Sequence, residues 1–153
     1  MRFYSKFIIL LLTGVLFACG ENRKLSTPLE TLKAYTQAIK KKDTTAMKLL
    51  LSGASLKMAE QEARAQNRTV DDVVQNETLF NENQTELKFR NEKVEGDKAT
   101  IEVKNSFGSW DTVPFVREEG VWKIDKQTIA NQMLQQNEEG SRRLDEIING
   151  KQP

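Results

Sequence analysis

The residue best suited to covalent chemistry is Cys19, the single cysteine in a sequence of 153 residues. It follows Leu16 and Ala18 at the end of an apolar run, behind a start that carries Arg2 and Lys6. A basic start, a short apolar run and a small residue before the cysteine predict that a signal peptidase cuts in front of Cys19. Leu16 and Ala18 would be its recognition residues. The freed thiol and amine could then accept acyl chains such as palmitate.

The length of the apolar run, residues 7–18, supports this interpretation. As a helix it would extend only ~18 Å, whereas the hydrocarbon core of a bilayer is ~30 Å thick. The pattern is therefore typical of a bacterial lipoprotein signal peptide over residues 1–18, not of a membrane span. Each buried methylene contributes ~0.8 kcal/mol, so two or three acyl chains on Cys19 would hold the mature protein on a membrane. An ordinary secretory signal followed by an incidental cysteine is the alternative.

The residues that follow predict a tether and a location. Gly20, rather than aspartate, follows Cys19, which in enteric-type lipoproteins is typical of outer-membrane sorting. Residues 19–26 are polar and lack periodicity, as expected of a lipidated tether that separates a domain from a lipid surface. We therefore expect a lipid-anchored protein of the bacterial cell envelope, with its anchor in the outer membrane.

Composition argues against several classes of function. Removal of Arg2 and Lys6 with the signal leaves 21 of the 23 Lys and Arg residues against 22 Asp and Glu, a net charge of −1. This balance, with the two signs interspersed, argues against a nucleic-acid partner. The absence of histidine removes the commonest general base and the imidazole metal ligands. The eight glycines form no phosphate-binding loop. We predict no metal, no cofactor and no enzymatic activity.

The mature chain begins with a helical pattern. Thr27 and Pro28 predict a capped helix start, and apolar side chains then recur every three or four residues through Ile39. Three further helices are predicted, after Asp43, over residues 55–66 and after Thr69. Together they provide apolar stripes that need a common core.

Beyond residue 86 the apolar period changes from helical to alternating, which predicts strands. Turns at Gly96, at residues 107–109 and at residues 118–120 would separate them. The four predicted antiparallel strands cover residues 87–94, 99–103, 110–117 and 121–125. Pro114 cannot donate to a strand ladder, so the third strand should have an edge, a bulge or a bend at that point.

The C-terminal residues predict a helical extension. A helix after Thr128 should end near Gly140, and Leu144, Ile147 and Ile148 form a second apolar stripe. This amphipathic tail could lie on its own sheet, seat a partner or touch the membrane, and we expect it to pack on its own sheet.

Two stretches carry a family resemblance. They are residues 27–43, TPLETLKAYTQAIKKKD, and residues 116–125, VREEGVWKID. With the order of helices and strands between them, Pro28 to Asp125 resembles small bacterial lipoproteins that carry a domain of unknown function of the NTF2-like and cystatin-like superfamily. The resemblance implies helices packed on a curved antiparallel sheet of about four strands, often with a cone-shaped apolar pocket between them. It implies no activity, because this architecture hosts isomerases, cyclases, ligand binders and scaffolds.

The aromatic residues supply the candidate pocket. They are Tyr35, Phe89, Trp110, Phe115 and Trp122. Such residues could line an apolar pocket, although aromatics on a half-buried sheet more often fill a core. If the domain were an enzyme, Asp111 could act as a pocket carboxylate with Tyr35 as the hydrogen-bond donor, and this pair would need a desolvated site.

These observations predict an α+β chain with four parts. The parts are a signal peptide at 1–18, a lipidated tether at 19–26, an NTF2-like domain at 27–126 and a helical extension at 127–153. We expect a non-catalytic domain that binds an envelope protein or a small apolar ligand, on a membrane reached through the lipid anchor. A ketosteroid-isomerase-like or cyclase-like enzyme is the alternative, and a purely structural spacer is a third possibility.

Overall fold

The computed structural model describes residues 27–76, 78–80 and 87–150. Four helices precede four strands, and a long helix follows them. The helices are α1 (Pro28–Lys41), α2 (Thr44–Leu50), α3 (Gly53–Ala65), α4 (Val70–Asn76) and α5 (Lys126–Ile148). The strands are β1 (Phe89–Glu95), β2 (Lys98–Lys104), β3 (Trp110–Glu118) and β4 (Val121–Ile124). The predicted α+β fold class, helices packed on a four-stranded antiparallel sheet with a helical C-terminal extension, is confirmed.

Side-chain caps explain where the first four helices begin. The Thr27 hydroxyl accepts a hydrogen bond from the Glu30 backbone N–H, and the Glu30 carboxylate accepts one from the Thr27 N–H, which completes a capping box. The Asp43 carboxylate caps α2 by accepting a hydrogen bond from the Ala46 backbone N–H. The Ser52 hydroxyl accepts from the Ser55 N–H, so α3 begins at Gly53, two residues before the predicted start. Thr69 accepts a hydrogen bond from the backbone of the first turn of α4.

The sheet is a simple meander. Its strand order is β1-β2-β3-β4, and every neighbouring pair is antiparallel. Alternation places Ile101, Val103 and Val113 on the inner face, which the helices cover, and Thr100 and Thr112 on the outer face. A bulge interrupts the β1–β2 ladder between Arg90 and Lys93, and Asn91 there has a φ of 54°.

Pro114 lies where β3 loses its neighbour. The last pair between β3 and β4 joins Phe115 to Ile124, and the Asp125 N–H then donates to the Pro114 carbonyl. In an antiparallel strand the nitrogen and the carbonyl of one residue point to the same side. The nitrogen of Pro114 therefore points to the side of β4, and the N–H that proline lacks would lie beyond the end of that strand. The predicted edge at this proline is confirmed, and the bulge lies in β1.

The core lies between the inner face of the sheet and helices α1 to α4. It combines residues of all four helices with β2, β3 and β4, and its largest members are Trp122, Tyr35, Phe115, Leu32 and Met47. Thr31 ties the first helix to the last strand, because its hydroxyl donates to the Trp122 carbonyl at 3.1 Å. Leu51 and Ile124 form a bridge that fixes the end of α2 beside β4.

The extension differs from the prediction. Helix α5 continues through Gly140 without a break, where the sequence predicted an end. One glycine costs a helix only ~1 kcal/mol relative to alanine, and the Gln, Glu and Arg residues around it are good helix formers. The first turn of α5 is half-buried beside β3 and α3, but the rest of the helix does not pack on the sheet, because every residue from Asn131 to Gly150 is exposed. Among the helices of residues 27–76, 78–80 and 87–150, none combines the length and the apolar composition that a membrane span requires.

Candidate functional site

Three of the five candidate pocket aromatics belong to the packed core. Tyr35, Phe115 and Trp122 are almost completely inaccessible to solvent. Phe115 and Trp122 project from the inner face of the sheet, and Tyr35 projects from α1 towards them in the same cluster. Arg117 covers the Trp122 ring at 4.4 Å from its centroid. These rings therefore stabilise the domain by filling its interior.

The other two aromatics are separated by the sheet. Phe89 pairs with Val103 on the inner face, where the Lys33 ammonium lies 5.4 Å from its ring centroid. Trp110 pairs with Lys104 on the outer face. The Arg90 guanidinium stacks 4.1 Å above the Trp110 ring. The five aromatics thus do not line one cavity, because Trp110 lies on the opposite face from the rest.

The candidate catalytic pair is not joined in this structure. The Tyr35 hydroxyl is buried and has no hydrogen-bond partner among the described residues. Burial raises the pKa of the Tyr35 phenol well above its usual value, so the phenol stays protonated. Asp111 is exposed, and its carboxylate accepts a hydrogen bond of 3.0 Å from the Asn105 side-chain amide. No contact links the two residues.

The open concave surfaces lie on either side of the first turns of α5. This helix leaves the end of β4, with the Asp125 carboxylate capping its first turn through Thr128, and follows the stretch of β3 that β4 leaves unpaired. One flank of α5 therefore faces the outer face of the sheet, and the other faces the inner face. We call the two resulting cavities the outer groove and the inner cleft.

The outer groove has a volume of about 310 Å³. Its floor is formed by Thr100, Pro114 and Val116, and Thr128 and Gln132 of α5 form one wall. The rest of its lining is Lys93, Glu95, Lys98, Ala99, Phe115 and Asp125. Side chains of both charges thus surround a partly apolar floor, which suits a ligand that presents both polar and apolar groups.

The inner cleft has a volume of about 290 Å³ and a more apolar lining. Ile129 and Met133 of α5 face Leu79 and Phe80 across it. The rest of its lining is Thr78, Val103, Asn105, Ser106, Asp111, Thr112 and Val113. Its apolar lining suits an aliphatic or aromatic group, because transfer of such a group from water into the cleft is favourable.

A protein-family model described as "Protein of unknown function (DUF2950)" matches residues 22–147. The chain belongs to the DUF2950 family. The match includes most of α5. It therefore extends beyond Asp125, where the resemblance seen in the sequence ended. In this DUF2950 chain, α5 and both cavities beside it are thus part of the region that the family shares.

The DUF2950 chain is similar to a solved structure at low sequence identity. The solved structure is the crystal structure of a "Putative NTF2-like transpeptidase" from Campylobacter jejuni, with a TM-score of 0.42 and 14% sequence identity. The likeness covers 65% of this chain and 98% of that chain. No curated protein matches the DUF2950 chain in sequence.

The residues of α5 that line both cavities of the DUF2950 chain were not predicted from the sequence as site residues. Because β4 is short, it leaves part of β3 unpaired, and α5 follows this part. The cavity walls on α5 are therefore formed by Thr128, Ile129, Gln132 and Met133. The shortness of the apolar run after residue 120 was the available signal. Within residues 27–76, 78–80 and 87–150, no cluster of three or more acidic or cysteine side chains could hold a metal ion. The predicted signal and lipidation residues Leu16, Ala18 and Cys19 lie outside the described residues.

Proposed function

We propose that this DUF2950 protein is a lipid-anchored protein of the bacterial envelope whose domain binds a segment of another envelope protein without catalysing a reaction. The outer groove is the proposed binding site. The observation that carries the proposal is its composition, because polar side chains of both charges surround a floor that contains Pro114 and Val116.

The position of the groove across three strands favours an extended peptide. It crosses β1, β2 and β3 between the turn after β1 and the first turns of α5. An extended segment offers alternating side chains, so apolar groups can contact Val116 while charged groups meet Lys93, Lys98 or Glu95. A small apolar ligand would make no contact that uses these charged groups. For this reason we favour a polypeptide ligand over a small apolar one.

Binding is also favoured over the enzymatic alternative by the chemistry of the interior. An isomerase-like mechanism based on Tyr35 would need a carboxylate beside its hydroxyl and an opening for the substrate. Tyr35 is enclosed by core side chains, and the candidate Asp111 bonds to Asn105 in an exposed position. The outer groove, in contrast, is already open to a ligand.

The binding proposal can be tested in cells with a photo-crosslinking residue at Gln132 of the full chain. We expect an adduct with a second protein, identified by mass spectrometry, that disappears when Val116→Asp places a charge in the floor. The matched control is Val121→Asp, which alters the same residue type on the same outer face but outside the groove lining. Adducts that are absent, or equally abundant in both variants, would refute the proposal.

The lipid anchor is supported by the residue pattern that ends at Cys19. Expression of the full chain with Cys19→Ser should leave uncut precursor and abolish fatty-acid labelling, because the acceptor thiol is gone. Gly20→Ser is the control and should still be labelled. Normal maturation of the Cys19→Ser protein would contradict the anchor, whatever the result for the groove.

A further inference from the structure

The most prominent unpartnered surface is the distal part of α5. Residues 131–150 are exposed throughout, and they include apolar side chains that are 60–78% exposed. These are Met133, Leu134, Leu144, Ile147 and Ile148. Single exposed apolar residues are common, but apolar clusters at both ends of one exposed helical segment, Met133 and Leu134 near its start and Leu144, Ile147 and Ile148 near its end, mark an interaction surface.

Helical geometry places most of these residues in one stripe along the helix. With 3.6 residues per turn, Met133, Gly140, Leu144 and Ile147 fall within about 60° of one another around the helix. Ile129 falls in the same sector, and it already faces the inner cleft. The exposed stripe therefore continues an apolar contact that begins inside the domain.

The charges on this segment argue against a membrane surface as the occupant. Residues 131–150 contain four acidic residues and two basic ones. Helices that lie on anionic lipid carry mainly Lys and Arg on their polar face. A net negative helix would be repelled by such a surface, so a protein surface is the better match.

The exposed segment of α5 is complementary to a second copy of itself that runs in the opposite direction. Gly140 lies at the midpoint of the exposed residues 131–150, so a second α5 in the opposite direction can overlap the whole segment before its domain reaches the first one. Glu139 and Arg143 lie on the same flank of the stripe, on either side of Gly140. In an antiparallel pair, Glu139 of each copy lies near Arg143 of the other, whereas a parallel pair places like charges level with one another.

We propose that a second copy of this chain covers the stripe, with the two α5 helices antiparallel about Gly140 and with the partner's Ile147 at the inner cleft beside Met133. In such a symmetric dimer, the C-terminal end of each α5 contacts the inner cleft of the other copy, so the same contact is made twice. Gly140 lies at the crossing point, and nothing of its own chain lies within 4 Å of a Cβ placed there, so a second helix has room to approach. This inference is independent of what the outer groove binds.

Cysteine crosslinking of the full chain tests the geometry. Gly140→Cys should give a crosslinked dimer with a short bismaleimide, because a residue near a two-fold axis lies close to its own copy. The control is Arg142→Cys, which lies on the opposite side of the helix from the stripe. The parent protein, whose cysteine is Cys19, measures the background. Equal crosslinking at Gly140→Cys and Arg142→Cys would overturn the proposal.

A double variant distinguishes helix direction. Chains with both Met133→Cys and Ile147→Cys should crosslink between positions 133 and 147 of different copies, as identified by peptide mass spectrometry. Crosslinks that join 147 to 147 or 133 to 133 would indicate a parallel pair and would overturn the antiparallel arrangement.

Sedimentation gives the readout that does not depend on cysteine. The parent should sediment at twice the monomer mass, and Ile147→Glu should shift it to the monomer because a charge cannot enter the apolar contact. Gln135→Glu, on the opposite side of α5, should remain dimeric. Circular dichroism of all three would show whether the domain is folded. A folded, monomeric parent, or loss of the dimer in Gln135→Glu as well, would refute the proposal.

Discussion

Helices α1 and α5 have the same kind of sequence and opposite surroundings. Each begins with a side-chain cap and carries an apolar stripe, yet α1 buries Leu32, Tyr35 and Ile39, and α5 has no buried residue. The difference arises because α1 to α4 already cover the inner face of the sheet when the chain reaches α5. An apolar stripe thus predicts that a face will be covered, and the rest of the fold decides what covers it.

The largest expected effect compares one residue type on the two helices. Leu32→Ala should lower the free energy of unfolding by about 2–5 kcal/mol, because it opens a cavity in the core. Leu144→Ala should change it by less than about 0.5 kcal/mol in dilute solution, since Leu144 is 60% exposed. Urea unfolding of both variants measures the difference. Similar losses in both would mean that α5 packs on the domain in solution.

Local signals predicted most of the fold. The caps at Thr27, Asp43 and Thr69 depend on residues within one helical turn, and so sequence alone locates them. The alternation that predicted the strands also reports a local property. The continuity of α5 through Gly140 was not predicted, because a helical glycine looks the same in sequence as one that ends a helix.

The unpartnered hydroxyl of Tyr35 offers a second test inside the core. Tyr35→Phe keeps the ring and removes a buried polar group that has no partner, and an unsatisfied group of this kind costs about 1–3 kcal/mol. We therefore expect the variant to be at least as stable as the parent in urea, by up to about 1 kcal/mol. A clearly lower free energy of unfolding for Tyr35→Phe would show that the hydroxyl bonds to a water or a ligand. That result would favour the enzymatic alternative.

The candidate site was less predictable than the fold because it depends on register. Trp110 and Asp111 are neighbours in sequence, yet pairing with Lys104 and Val103 places them on opposite faces. Composition could identify the aromatics but could not show which face each would occupy. The cavities depend on something still less local, the point at which β4 stops pairing with Phe115.

Two glycines extend the comparison between the compact domain and the exposed helix. Gly96, in the turn between β1 and β2, has a φ of 60°, so Gly96→Ala should destabilise the domain by about 1 kcal/mol or more. Gly140→Ala lies in an open helix, where alanine is favoured by about 0.5–1 kcal/mol. Thermal unfolding followed by circular dichroism should give opposite signs. A loss of helix in Gly140→Ala would contradict this prediction.

The smallest effect should come from an exposed ion pair on the outer face. Arg90 donates a hydrogen bond of 2.7 Å to Glu102, and this bond holds the pKa of the Glu102 carboxyl below its usual value. A lowered folded-state pKa stabilises the fold above the unfolded pKa of about 4.3, and this contribution is lost as the pH falls through the folded pKa. Glu102→Gln should therefore flatten the dependence of the melting temperature on pH below about pH 4.3.

The control for Glu102→Gln is Glu92→Gln, which alters an exposed carboxylate of β1 without removing the bond to Arg90. The difference between the two variants should shrink in concentrated salt, because the charges on Arg90 and Glu102 are partly exposed and therefore screened. Identical pH profiles at low salt would show that this ion pair does not stabilise the sheet. A difference that persists in salt would show that Glu102 acts by holding Arg90 on the Trp110 ring, and not through the attraction between the two charges.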